Sequence, residues 1–141
     1  MTYYKKSFTP RKPVRSFRDL EVYQKTLECA VLVGKNLKPA LSRLKYPFLE
    51  DAIKTSLFVP LYIGEAHSSR FADGGGLEHL EKAMVGCNRM IIYLEYIKGL
   101  YGSKADIDLV DDIIERYAGV RTKCFHLELS WKKFRANNFK S

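Results

Sequence analysis

Apolar residues recur along this chain at steps of three and four, the spacing that puts side chains on one face of an α-helix. The first series is Leu20, Tyr23, Leu27, Ala30, Gly34, Leu37 and Leu41. Before it, Ser16-Phe17-Arg18-Asp19 has the form of a capping box, in which the serine hydroxyl and the Asp19 carboxylate serve free amides of a first turn. A helix over 16–38 is predicted, closing near Lys38 because Pro39 has no N–H and its ring crowds the preceding turn. A second helix, over 47–70, opens at Pro47 with Glu50 and Asp51 at its positive dipole end, and carries Leu49, Ile53, Leu57, Pro60 and Ile63. Pro60 lies well inside it and predicts a kink, with the Ser56 carbonyl unpaired or solvated. Asp73-Gly74-Gly75-Gly76 then breaks the chain.

A third helix, over 77–99, is marked by Leu77, Leu80, Met84, Cys87, Ile91, Leu94 and Lys98, and stops between Gly99 and Gly102. Ser103-Lys104-Ala105-Asp106 repeats the capping-box form and opens a fourth helix over 104–135, with Val110, Ile113, Tyr117, Val120, Cys124, Leu127, Trp131 and Phe134 on one seam. Its acids sit early and its bases late, as the helix dipole favours. No run reads as a β-strand, and short links between long helices favour antiparallel neighbours. The predicted fold is all-α, an antiparallel up-down-up-down four-helix bundle. The middle helices hold more apolar surface than one seam uses: Phe58, Val59, Leu61 and Tyr62 on the second, Ile92, Tyr93, Tyr96 and Ile97 on the third. A second face must be buried, and a homo-oligomer is the simplest way to bury it.

The 141 residues are 46% hydrophobic, enough for one domain with a core and too apolar for a disordered chain. No window approaches the roughly 18 apolar residues of a membrane span. The basic N-terminus has no apolar stretch of the kind that marks a secretory signal, so the expected address is the cytoplasm, with no membrane partner. Lys and Arg number 24 against 16 Asp and Glu, a net charge of +8. Residues 1–15 contribute +5 through Lys5, Lys6, Arg11, Lys12 and Arg15, and residues 131–141 contribute +4 through Lys132, Lys133, Arg135 and Lys140. The stretch between them is −1. The organisation that follows is a basic flexible tail over 1–15, a bundle over 16–135 and a basic tail over 136–141.

Basic ends on a nearly neutral body point to a polyanion. Tyr3, Tyr4 and Phe8 are interleaved with the N-terminal cations, and Phe134 and Phe139 with the C-terminal ones, which supplies stacking groups beside charge. Neither end carries a base-reading motif, so the expected binding follows the backbone of RNA or DNA with weak sequence preference. The candidate nucleic-acid-binding residues are Lys5, Lys6, Arg11, Lys12, Arg15, Arg121, Lys123, Lys132, Lys133, Arg135 and Lys140. Glu65 and Arg70, five apart on one helix, do not face each other and each needs another partner, within the fold, in a second subunit or in a ligand.

Catalytic constellations are incomplete. A di-iron bundle needs Glu-x-x-His pairs, but His67 follows Glu65 by two, His79 follows Glu78 by one, and Lys123 stands three before His126. Cys29, Cys87 and Cys124 are odd in number and lack CxxC spacing, the pattern of buried thiols in a reducing compartment. The Asp73–Gly76 turn lacks the spacing of a phosphate loop. The expectation is a protein without catalytic residues, metal or cofactor.

Ser16-Phe17-Arg18-Asp19-Leu20-Glu21-Val22-Tyr23-Gln24-Lys25 resembles the opening "SFRDLxVWQK" of the four-helix-bundle family that includes the 23S rRNA intervening-sequence proteins. PLYIGEAHSSR, from Pro60 to Arg70, is similar to that family's "IPxNIAEGxxR", with Pro60, Ile63, Glu65 and Arg70 in step. Leu80, Ala83 and Gly86 follow its third-helix pattern. Tyr62 replaces the usual Asn, Ala66 the usual Gly, and the basic tails are additions. The family also contains the accessory variability determinant proteins of diversity-generating retroelements. The resemblance to these implies a homopentameric ring that binds nucleic acid and partners a reverse transcriptase. The intervening-sequence branch implies instead a structural or protein-interaction bundle.

Overall fold

The computed structural model describes the backbone of residues 13–139 and the side chains of 13–136. Helix α1 (Glu21–Leu32) passes through a π-helical turn (Val33–Leu37) into α2 (Lys38–Arg43), and the three together make one rod. Three further rods follow: α3 (Leu49–Ser68), α4 (Leu77–Tyr101) and α5 (Ile107–Phe139). There is no strand among the described residues. The four rods pack together: α1 lies against α3 and α5, and α4 against the same two. At 33 residues, α5 is roughly 50 Å long.

The first rod does not end at Lys38. The Lys38 N–H reaches back five residues to the Val33 carbonyl, and the widened turn lets Pro39 enter at the first turn of α2 without its ring striking the carbonyl four residues earlier. The Ser16 box does form, with the Arg18 N–H donating to Ser16 Oγ at 3.2 Å and the Ser16 N–H to Asp19 Oδ2 at 3.2 Å. It caps a 3₁₀ turn (Phe17–Asp19), and α1 starts only at Glu21 because Leu20 is extended. The Ser103 box is replaced by a simpler cap: Ser103 lies in a 3₁₀ turn (Gly102–Lys104), and Asp106 Oδ1 accepts the Leu109 N–H at 3.1 Å. Pro47 sits in the turn before α3, and α3 continues through Pro60 to Ser68.

The buried seams differ from the predicted ones at two informative places. Leu27 and Leu57 are exposed, while the adjacent Thr26 and Ser56 are buried. The Thr26 hydroxyl donates to the Val22 carbonyl at 2.8 Å, and the Ser56 hydroxyl to the Ile53 carbonyl at 2.7 Å. Both side chains satisfy their polarity inside their own helices and pack as small apolar groups. Between α3 and α4 the approach is close: a Cβ on Gly86 would lie 2.7 Å from Val59 Cγ2. At the centre, Tyr117 is fully buried with its hydroxyl unpartnered among the described residues.

Ion pairs tie the rods together on the outside. Arg116 of α5 reaches Glu28 of α1 at 2.5 Å and its own Asp112 at 3.0 Å, and Lys98 of α4 reaches Asp111 of α5 at 2.7 Å. The Tyr46 hydroxyl, in the turn before α3, donates to the Tyr93 carbonyl of α4 at 2.8 Å.

Candidate nucleic-acid interface

The segment that leads into the 3₁₀ turn runs beside the second half of α5. Val14, Asp19, Leu20, Glu21 and Val22 line a cleft of about 580 Å³ together with Lys123, His126 and Leu127. The chain therefore enters the bundle next to the basic half of its last helix. Further along α5, Trp131 faces His67 of α3 with ring centroids 6.5 Å apart, and Arg135 Nη1 donates to the Ala72 carbonyl at 3.0 Å.

Of the candidate cations, Lys5, Lys6, Arg11, Lys12 and Lys140 lie outside the described residues, as do the side chains of Tyr3, Tyr4, Phe8 and Phe139. The remaining six divide by what they touch. Lys123 pairs with Glu21 of α1 at 2.5 Å, and Lys25 pairs with the same carboxylate at 2.8 Å. The two ammonium groups hold Glu21 down to about 2. Lys132 lies 3.4 Å from Glu128, whose side chain is buried and whose second oxygen has no partner among the described residues. Arg135 holds the turn before α4. Arg15, Arg121 and Lys133 are exposed, and no ion pair engages them among the described residues.

Glu65 and Arg70 do not pair with each other. Glu65 Oε2 approaches His79 Nδ1 of α4 at 3.5 Å without forming a hydrogen bond. Arg70 Nη1 donates to the His67 carbonyl at 2.6 Å and lies 3.1 Å from His67 Nδ1. Burial, helped by the Arg70 charge, lowers the His67 pKa. The imidazole is therefore neutral near pH 7, and its Nδ1 lone pair accepts from the guanidinium.

The turn between α3 and α4 is an ordered frame. Gly74, Gly75 and Gly76 all have positive φ, at 84°, 62° and 72°. A Cβ on Gly76 would meet the Ala66 carbonyl oxygen at 2.1 Å, so both backbone conformation and space require glycine there. Out of this frame Phe71 projects toward Phe134 of α5, with ring centroids 6.1 Å apart. Arg70, Phe71, Ser130, Trp131 and Phe134 enclose a small cleft. The helical pattern puts Trp131 and Phe134 on the core seam and gives no weight to Phe71. The available signal was an aromatic residue between Arg70 and a glycine turn, where no helix face can bury it.

The three thiols lie in the core. Burial raises Cys29 and Cys124 to about 12 each and pushes Cys87 up as well, so all three are protonated and unreactive near neutrality. No cluster of three metal-ligating side chains occurs among the described residues, and no helix there is long and apolar enough to cross a membrane. Compared with protein-family models, with curated proteins and with solved structures, the chain matches none.

Proposed function

We propose that this chain is a non-enzymatic nucleic-acid-binding protein, an up-down-up-down bundle that holds the RNA or DNA backbone through its basic ends and serves a reverse transcriptase of the diversity-generating-retroelement kind. The observation that carries the reading is the place where the described chain begins to pack, beside the basic half of α5. Val14 lines a cleft with Lys123 and His126, on the helix that goes on to carry Lys132, Lys133 and Arg135. A phosphate chain held by cations in this way binds through charge rather than base sequence. The Ser16–Lys25 resemblance supports the choice of partner.

Self-association belongs to the same reading. Leu27, Leu57 and Leu61, at 44%, 56% and 50% exposed, line a groove between α1 and α3, an apolar surface that a second copy would cover. In a cytoplasmic homo-oligomer, a pentameric ring by the resemblance, each modest site would be multiplied by avidity. The alternative, a structural or protein-interaction bundle of the intervening-sequence kind, is favoured by one observation: Lys123, Lys132 and Arg135 already have partners within the chain.

Replacing Lys5, Lys6, Arg11, Lys12, Arg15, Lys133 and Lys140 by Gln separates the two. These seven changes spare every ion pair described above. Filter binding of a labelled RNA or DNA oligonucleotide at low salt should be strong for the natural chain and lost in the variant. Equal retention by both proteins, or none by either, overturns the proposal.

A further inference from the structure

We propose that the cleft between Phe71 and Phe134 is a stacking site for an unpaired nucleobase, so that the nucleic acid held is single-stranded. This rests on the nucleic-acid reading above and names the strand form it selects.

Phe71 is 73% exposed and Phe134 is 52% exposed. Two phenyl rings in contact at the surface, on different elements, keep apolar area in water. One face of Phe71 is covered by the Arg70 guanidinium, 4.3 Å from the ring centroid. That guanidinium is itself fixed by the His67 carbonyl and imidazole. Arg70 thus orients the ring and leaves its outer face open. Phe134 walls one side, and Trp131, half-buried against His67, forms the floor.

The platform is preorganised. Arg135 clamps Ala72, next to Phe71, and the Gly74–Gly76 turn fixes where that segment rejoins α4. A base entering the cleft would stack on an already positioned ring and lose little further entropy in ordering it. The charge is complementary as well: Arg70 lies under the ring, and exposed Lys133 precedes Phe134 in sequence, near where the flanking phosphates would run. A duplex keeps its bases stacked on one another and offers none to the cleft. Stacking on aromatic side chains is the mode by which single strands are held without sequence readout.

Trp131 is the only tryptophan of the chain, so its fluorescence reports on this cleft alone. The experiment titrates the full chain with a fluorescein-labelled oligothymidylate and with a duplex of equal length, reading anisotropy and tryptophan emission together. The expected result is preference for the single strand with saturable quenching of Trp131. Phe71→Ala and Phe134→Ala should each weaken single-strand binding about tenfold and leave duplex binding unchanged, while Phe71→Tyr should keep the natural affinity. Phe71 is exposed, so its variants should fold, which circular dichroism checks. Equal binding of single strand and duplex, with alanine variants that match the natural chain and no change at Trp131, overturns the stacking site but leaves the nucleic-acid reading standing. No binding of either oligonucleotide by the natural chain removes both.

Discussion

Tyr117 shows how a single atom can be a liability at the centre of a bundle. Its ring fills the core between α1, α4 and α5, but its hydroxyl has lost water without gaining a hydrogen bond among the described residues. A buried unsatisfied polar group costs about 1–3 kcal/mol. Tyr117→Phe keeps the ring and should raise stability by about 1 kcal/mol in urea denaturation; a loss would mean the hydroxyl has a partner that matters. His67 sets a pH dependence. Its folded pKa lies below the ordinary 6.5, so the unfolded chain takes up the proton first. The stability it contributes is complete above 6.5 and is lost as pH falls from there toward the depressed folded value. The melting temperature should drop as the pH is lowered through 6.5, and His67→Gln should shrink that drop. Glu21 adds a second loss at lower pH, between 4.5 and about 2. It is an exposed pair, worth less than about 1 kcal/mol.

At the scale of elements, the four rods were legible in spacing alone, because a helix face repeats at a period that no strand shares. Most of the α5 seam reads directly: Val110, Ile113, Tyr117, Val120 and Cys124 are all buried. The α1 and α3 seams read less well at Thr26 and Ser56. Composition marks both as polar, and only the backbone geometry shows their hydroxyls turned back into the helix. Pro39 misleads for a related reason, since a π turn that absorbs a proline leaves no trace in hydropathy. The aromatic cleft was half legible: Phe134 stood among cations in the C-terminal segment, but Phe71 becomes its neighbour only once α3 and α5 are in place. The α3–α4 contact offers a mutational check. Gly86→Ala drives a methyl into Val59, a buried β-branched side chain with little rotamer freedom. Overpacking costs about 1–3 kcal/mol against roughly 1 kcal/mol of helix propensity gained. The variant should melt lower than the natural chain, and the penalty should shrink in a Val59→Ala background. An undiminished penalty there would place the clash elsewhere.

For the whole molecule, the charge of +8 is best understood by position. The body is nearly neutral, and three of its cations, Arg116, Lys98 and Lys123, link α5 to another rod. Among the described residues of the two ends, Arg15 and Lys133 are exposed and engaged in no ion pair. The direct measurement is the binding constant for an oligonucleotide across a series of salt concentrations. If the basic ends bind the backbone, log K falls linearly with log salt, with a slope of roughly −0.7 per phosphate contact on a single strand. The slope should flatten in the seven-glutamine variant. An affinity that does not change with salt, or a slope the same in both proteins, would contradict the account.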